Sequence, residues 1–128
     1  MKYLFALFLT FSLFSCNEQF KNVETEEFNK EIAPYKEIET PEQLILFYYN
    51  YPKNEGKPNL KITKQKLENQ VYEITLIHDF QQDDCQKAEK IIMTAKKVGR
   101  KWKVEKILKN WKCYDGRGHT DWGIGNCG

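Results

Sequence analysis

After residues 53–59, where Gly56 and Pro58 mark a loop, the hydrophobic period of the chain changes from 3.6 to 2, and this restricts the fold more than any other feature. In residues 71–80, Tyr72, Ile74, Leu76, His78 and Phe80 alternate with Val71, Glu73, Thr75, Ile77 and Asp79. Residues 88–98 are a β-type run holding Ile91, Ile92 and Met93. In residues 102–111, Trp102, Val104, Lys106 and Leu108 alternate with Lys103, Glu105, Ile107, Lys109 and Trp111. A period of 2 sends successive side chains to opposite faces of a strand. The polar stretch 81–84 and the sequence Val98-Gly99-Arg100-Lys101 are turns short enough for antiparallel pairing. The pattern predicts a three-stranded meander with one face packed and one partly wet. Leu60 and Ile62 open a further short strand.

Before this region the period is helical. Thr40 suits an N-cap, Pro41 the first helical position, and Gln43 stands three residues after the cap, as a capping box requires. Leu44, Phe47, Tyr48 and Tyr51 then share one face. Pro52 disfavours helix at the residue before it, so the helix ends around residues 50–52. An aromatic face of this kind is read as core packing. Residues 17–39 are rich in Glu, Lys and Asn, with apolar residues at Phe20, Val23, Phe28, Ile32 and Tyr35. They read as a linker of about ten residues followed by a marginal helix broken near Pro34. The expected fold class is α+β, a small antiparallel sheet packed against one main helix.

The first 15 residues have a separate logic. Met1-Lys2 precedes residues 3–14, where only Thr10 and Ser12 interrupt apolar side chains. A membrane-spanning helix needs roughly 20 apolar residues, so this run is the length of an export signal and too short for a span. At Leu13-Phe14-Ser15-Cys16 the chain resembles a bacterial lipoprotein signal, in which a small residue precedes a cysteine that receives diacylglycerol before cleavage. Asn17-Glu18-Gln19 turns polar at once. The resemblance implies a signal peptide over residues 1–15 and lipidation of Cys16; together with the patterning above, this divides the remainder into a tether and marginal helix over 16–39 and an α+β domain over 40–128. Two or three acyl chains, palmitate among them, would hold the domain stably on a membrane outside the cytoplasm.

Removal of residues 1–15 takes one lysine from the formal charge of +2, leaving +1. That balance argues against a nucleic-acid partner. The distribution is uneven: residues 17–42 hold eight glutamates against three lysines, and residues 96–112 hold eight basic residues against Glu105 alone. Such asymmetry marks two solvated faces, or a surface for an anionic partner or lipid headgroups. With Cys16 lipidated, Cys85, Cys113 and Cys127 remain, an odd number that allows at most one intramolecular disulfide. No CxxC pair is present and only His78 and His119 could join the cysteines, so no metal and no cofactor is expected. His78 lies on the apolar stripe of its strand and reads as a satisfied core or edge histidine.

After Trp111 regular patterning stops. Gly116, Gly118, Gly123 and Gly125 interleave with Arg117, His119, Asp121 and Trp122 between Cys113 and Cys127. A disulfide between those cysteines would close a loop of about 15 residues, for which chain entropy gives roughly 3 kcal/mol. Here the chain resembles an uncharacterised family of small exported bacterial proteins. That family has an Asp-Asp-Ser stretch, a Gly-rich hairpin followed by Trp, and a closing Cys-x-x-Gly-Arg-Gly-His-x-Asp-aromatic…Cys segment. Asp83-Asp84 matches the first, Gly99 and Trp102 the second, and Cys113, Gly116, Arg117, Gly118, His119, Asp121, Trp122 and Cys127 the third. The resemblance implies a Cys113–Cys127 disulfide, leaves Cys85 as the unpaired thiol where the family has Ser, and implies no reaction. The outline of one helix against a curved sheet also resembles cystatin-like and NTF2-like folds.

Arg117, His119, Asp121 and Trp122 are the candidate ligand contacts. The Arg117 fork can bind a carboxylate or phosphate while glycines on both sides allow close backbone approach. His119 and Asp121 have the spacing of residues that orient one another in acid–base work. As a structural element, Arg117 would brace the loop against Asp83, Asp84 or Asp121. A deep pocket lined by Trp111, Trp122 and Arg117 would favour a small ligand, and a flat surface there a protein partner. The expected function is a membrane-anchored, non-enzymatic binding or accessory module of the cell envelope, its partner a protein, peptide or anionic ligand. An envelope hydrolase using His119 and Asp121 is the alternative.

Overall fold

The computed structural model describes residues 18–50, 59–81 and 83–128. The segment read as an export signal, Cys16, Tyr51 and Pro52 lie outside the described residues. The elements in chain order are β1 (Lys21–Val23), α1 (Glu26–Ile32), α2 (Pro41–Tyr48), β2 (Asn59–Glu68), β3 (Val71–Asp79), β4 (Gln86–Val98) and β5 (Lys101–Cys113). The strands form one sheet in the order β1-β5-β4-β3-β2, every neighbouring pair antiparallel. The fold is α+β, with the two helices packed on one face of the sheet. Among the described residues no helix is long and apolar enough to cross a membrane.

Local chemistry explains most of the elements. Thr40 caps α2 as its sequence requires: its hydroxyl accepts from Gln43 N–H at 3.2 Å, and the Gln43 side chain accepts from Thr40 N–H at 3.1 Å. The helix then buries Leu44 and Ile45 completely, with Phe47 and Tyr48 partly buried beside them. Val98 pairs Lys101, which leaves Gly99 and Arg100 as a two-residue turn; Gly99 takes φ +62°, a conformation such tight hairpins demand. The β2–β3 turn places Gln70 in the same region, with φ +62°.

The core is the helix-side face of the sheet. Ile74 and Leu76 from β3, Ile91, Met93 and Ala95 from β4, and Trp102, Val104 and Ile107 from β5 meet Leu44, Ile45, Phe28, Ile32 and Ile38. Truncating a fully buried residue such as Leu44 to alanine costs about 2 to 5 kcal/mol.

Three features differ from the sequence expectation. The core phase of β5 runs Trp102, Val104, Ile107, not Trp102, Val104, Lys106, Leu108, because the register slips between Thr94 and Ala95. There a bulge places two residues of one strand opposite one of the other, and every later side chain changes face. The strand opened by Leu60 and Ile62 runs for ten residues, so the meander has four strands. The stretch read as tether and marginal helix is built into the domain, supplying β1 and the buried residues Phe28, Ile32 and Ile38.

Asn29 and Trp102 help to fasten that stretch. Asn29 Nδ2 donates to Val104 O at 2.9 Å and Val104 N–H donates to Asn29 Oδ1 at 2.8 Å, so one carboxamide serves a backbone position of β5 as a neighbouring strand would. Trp102 Nε1 donates to Ile38 O at 2.9 Å.

Candidate functional site

Beyond Cys113 the chain doubles back along β5. Trp111 N–H donates to Gly123 O at 2.9 Å and Gly123 N–H returns a bond to Trp111 O at 3.0 Å. Cys113 N–H donates to His119 O, and Gly128 N–H to Arg117 O. Cys113 and Cys127 are joined, their Cα atoms 5.4 Å apart. Cys85 is unpaired among the described cysteines. Tyr114 ties the loop to the β3–β4 connection, its N–H donating to Cys85 O and its hydroxyl to Gln81 O. Gly118 is required where it stands: its φ is +148°, and a Cβ would lie 2.8 Å from the Cys113 sulfur.

Inside the loop His119 is a brace. Its Nδ1 lies 2.8 Å from Asp121 O and its Nε2 2.8 Å from Gly125 O. A ring with one N–H donates to one of these oxygens, and both are satisfied at once only by the imidazolium. Gly123 and Gly125 make room for the ring, since a Cβ at either would come within 3.3 Å or 3.1 Å of it. Gly125 O also accepts from Trp111 Nε1 at 2.8 Å. Asp121 thus engages His119 through its backbone carbonyl, and its exposed carboxylate does not orient the ring. The His119 ring and the Cys113 and Cys127 sulfurs lie within 4.8 Å of one another, a donor set suited to a soft metal. The sulfurs are bonded to each other, and the imidazole nitrogens face carbonyls.

Arg117 does not make the expected brace. It is exposed, and among the described residues its side chain has no hydrogen bond or ion pair. Asp83 spends its carboxylate on its own turn, accepting from Cys85 N–H at 2.8 Å and Gln86 N–H at 2.9 Å; these bonds hold its carboxyl below the ordinary value. His78 is satisfied in the core, its Nδ1 2.6 Å from Tyr49 Oη.

Trp122 is part of a layered cluster on the helix-free face. Lys90 Nζ lies 4.4 Å from its ring centroid and Lys112 Nζ 4.7 Å. Lys90, with its side chain only 12% exposed, also pairs with Glu18 at 2.8 Å. The fully buried Asn110 donates through Nδ2 to Glu18 Oε2 and to Gln19 O, each at 3.1 Å. The Lys90 bond is the main cause that holds the Glu18 carboxyl below its ordinary value, with Asn110 and Lys112 adding to it against some desolvation. Lysine against an aromatic face contributes about 0.5 to 2 kcal/mol according to how far it is desolvated.

A groove of about 690 Å³ opens on the other side of the molecule, where the two helices meet β1. Phe28, Phe47, Tyr48 and Tyr49 line it together with Glu24, Glu27 and Glu31. Phe28 packs edge-on to Tyr48 at 5.1 Å and tilted to Phe47 at 6.2 Å. Burial, followed by the charge of Glu89, pushes the Tyr48 hydroxyl above its ordinary value. Sequence reading treated Phe47 and Tyr48 as core residues only. The nearest signal is the glutamate excess over residues 17–42, three of which, Glu24, Glu27 and Glu31, line the groove beside those rings. Comparison with known families, curated proteins and solved structures finds no match to this chain.

Proposed function

We propose that the chain is a lipid-anchored, non-enzymatic binding module of the bacterial cell envelope that takes a basic peptide segment of a partner protein in the groove between α1 and α2. The groove carries this reading: an aromatic floor of Phe28, Phe47 and Tyr48 is edged by Glu24, Glu27 and Glu31. Lysine and arginine side chains suit such a surface, because their stems pack on rings while their charged ends meet carboxylates. The anchor rests on the Leu13 to Cys16 pattern. The placement of both His119 nitrogens against backbone carbonyls supports a binding role over the hydrolase alternative, since the ring is turned to its own loop and neither nitrogen meets the Asp121 carboxylate. Arg117, His119, Asp121 and Trp122 then serve loop architecture and surface contact.

Titration with a fluorescently labelled Lys/Arg-rich peptide tests the groove. Binding should weaken roughly tenfold when Glu27 and Glu31 are both changed to lysine, the scale set by reversing two rim charges. Equal affinity for a Glu-rich control peptide, or indifference to the two substitutions, would refute it.

A further inference from the structure

The anchor reading fixes where a membrane must lie relative to the fold, and the residues found there are those that favour a bilayer surface. We propose that the helix-free face of β5, with Trp122 at its end, rests on anionic lipid headgroups of the membrane that holds the acyl chains. The inference depends on Cys16 being the lipid acceptor. Its starting point is the first of the described residues: Glu18 is held by Lys90 at 2.8 Å and by Asn110 at 3.1 Å, and the Gln19 carbonyl by Asn110 at 3.1 Å. Cys16 precedes Glu18 by two residues, a span of at most about 7 Å of extended chain. The lipidated residue therefore stays within about 7 Å of Glu18, which brings the headgroup layer close to the Lys90, Asn110 and Trp122 cluster.

That surface has the matching chemistry. Ile107 faces the core, so alternation after the bulge turns Lys106, Leu108 and Lys112 to the opposite face, beside Lys90 and Ile92 of β4. Lys90 already neutralises Glu18, which leaves Lys106 and Lys112 for anionic headgroups. Such lysines contribute about 1 kcal/mol each near a charged leaflet, equivalent to about a fivefold shift in a binding equilibrium. Trp122 lies between Lys90 and Lys112 and is the residue type that collects at the membrane–water boundary. Seated this way, the domain turns its helix side, with the acidic aromatic groove, away from the negative leaflet.

The test uses the full acylated chain purified from membranes and reconstituted into phosphatidylcholine vesicles with and without phosphatidylglycerol, each carrying lipids brominated near the headgroup. Tryptophan fluorescence should be quenched in the phosphatidylglycerol vesicles, and Trp122→Phe should remove most of that quenching. Lys106→Gln with Lys112→Gln should lower the seated population about fivefold per lysine, leaving Trp122 in place as the reporter. Acylated, vesicle-bound protein whose quenching ignores phosphatidylglycerol and all of these substitutions would overturn the seat alone. A mass showing no acyl chains on Cys16 would remove the anchor reading, and the seat with it.

Discussion

Glu18 and Lys90 meet at 2.8 Å across 72 residues of sequence, joining the segment just before β1 to the middle of the sheet. Glu18 titrates lower in the folded chain than the ordinary glutamate value of 4.5, chiefly through the Lys90 bond. A lowered folded value means that the stabilisation is present above the unfolded value and is lost as pH falls through the folded one. Glu18→Gln should therefore leave a Tm that changes less steeply on acidification below about pH 5 than that of the parent chain. Glu42, held down by Lys64, and Asp83 keep contributing to the remaining slope. Thermal unfolding followed by circular dichroism from neutral pH into this range measures it; parallel curves for the two proteins would contradict the assignment.

Asn29 occupies a position no hydrophobic pattern marks, yet it bonds both backbone groups of Val104. Asn29→Ala should cost about 1 to 3 kcal/mol, because it leaves a partly buried donor and acceptor without partners. Asn29→Asp should also destabilise, since a carboxylate accepts from Val104 N–H but cannot donate to its carbonyl. Urea unfolding reads both, and an aspartate variant as stable as the parent would show that the second bond carries no weight.

The difference between Asn29 and Thr40 shows which parts of this fold are legible in the sequence. The cap of α2 is chemistry between residues three apart, and Thr40, Pro41 and Gln43 display it directly. The strands at 71–79 and 86–98 and the turn at Gly99 are likewise local. The bulge near Ala95 is a pairing event between two strands, so the alternation of residues 102–111 carries no mark of where its phase slips. Residues 18–39 look solvated because their glutamates dominate the composition, although Phe28, Ile32 and Ile38 are buried. At the candidate site, pairing of Cys113 with Cys127 followed the family resemblance. The roles of His119 and Arg117 depended on which way their side chains turn in a glycine-rich loop, which spacing does not encode.

Gly118 tests how tightly that loop is built. Gly118→Ala places a methyl 2.8 Å from the Cys113 sulfur on a backbone with φ +148°, so strain and collision act together. A loss of about 1 to 3 kcal/mol is expected. Gly116→Ala meets no atom within 4 Å, and its penalty should be confined to backbone strain at φ +80°. Replacing Cys113 and Cys127 by serine should cost roughly 3 kcal/mol through the opened loop. Calorimetry on the three variants should rank Gly118→Ala well below Gly116→Ala in stability; the reverse order would show that the loop yields around the sulfur.

Arg117 stands in the same loop with its side chain exposed and unpartnered among the described residues. Arg117→Ala should therefore change stability by no more than about 0.5 kcal/mol, the range of surface substitutions without structural partners. His119→Ala is the contrasting variant. It removes the ring bonds to Asp121 O and Gly125 O and empties the space between two glycines, so its cost should be about 1 to 3 kcal/mol. Equal losses for both variants, measured with the disulfide intact, would mean that Arg117 carries a structural bond.

In the proposed reading Cys16 decides the cellular address. Each buried methylene contributes about 0.8 kcal/mol, so two or three acyl chains on this residue would hold the protein on a bilayer, whereas the apolar run of residues 3–14 is too short to span one as a helix. Cys16→Ala should remove the acceptor thiol and block cleavage after Ser15, leaving an unacylated precursor with residues 1–15 attached. Release from the membrane fraction alone is a weak readout, because the retained apolar segment can itself associate with lipid. The mass of the extracted chain separates the cases: wild type should begin at Cys16 and carry acyl chains, and Cys16→Ala should begin before it and carry none. A Cys16→Ala protein still cut after Ser15 and still membrane-bound would show that an ordinary signal peptidase processes the chain. The domain would then be held on the membrane by something other than lipid on this cysteine.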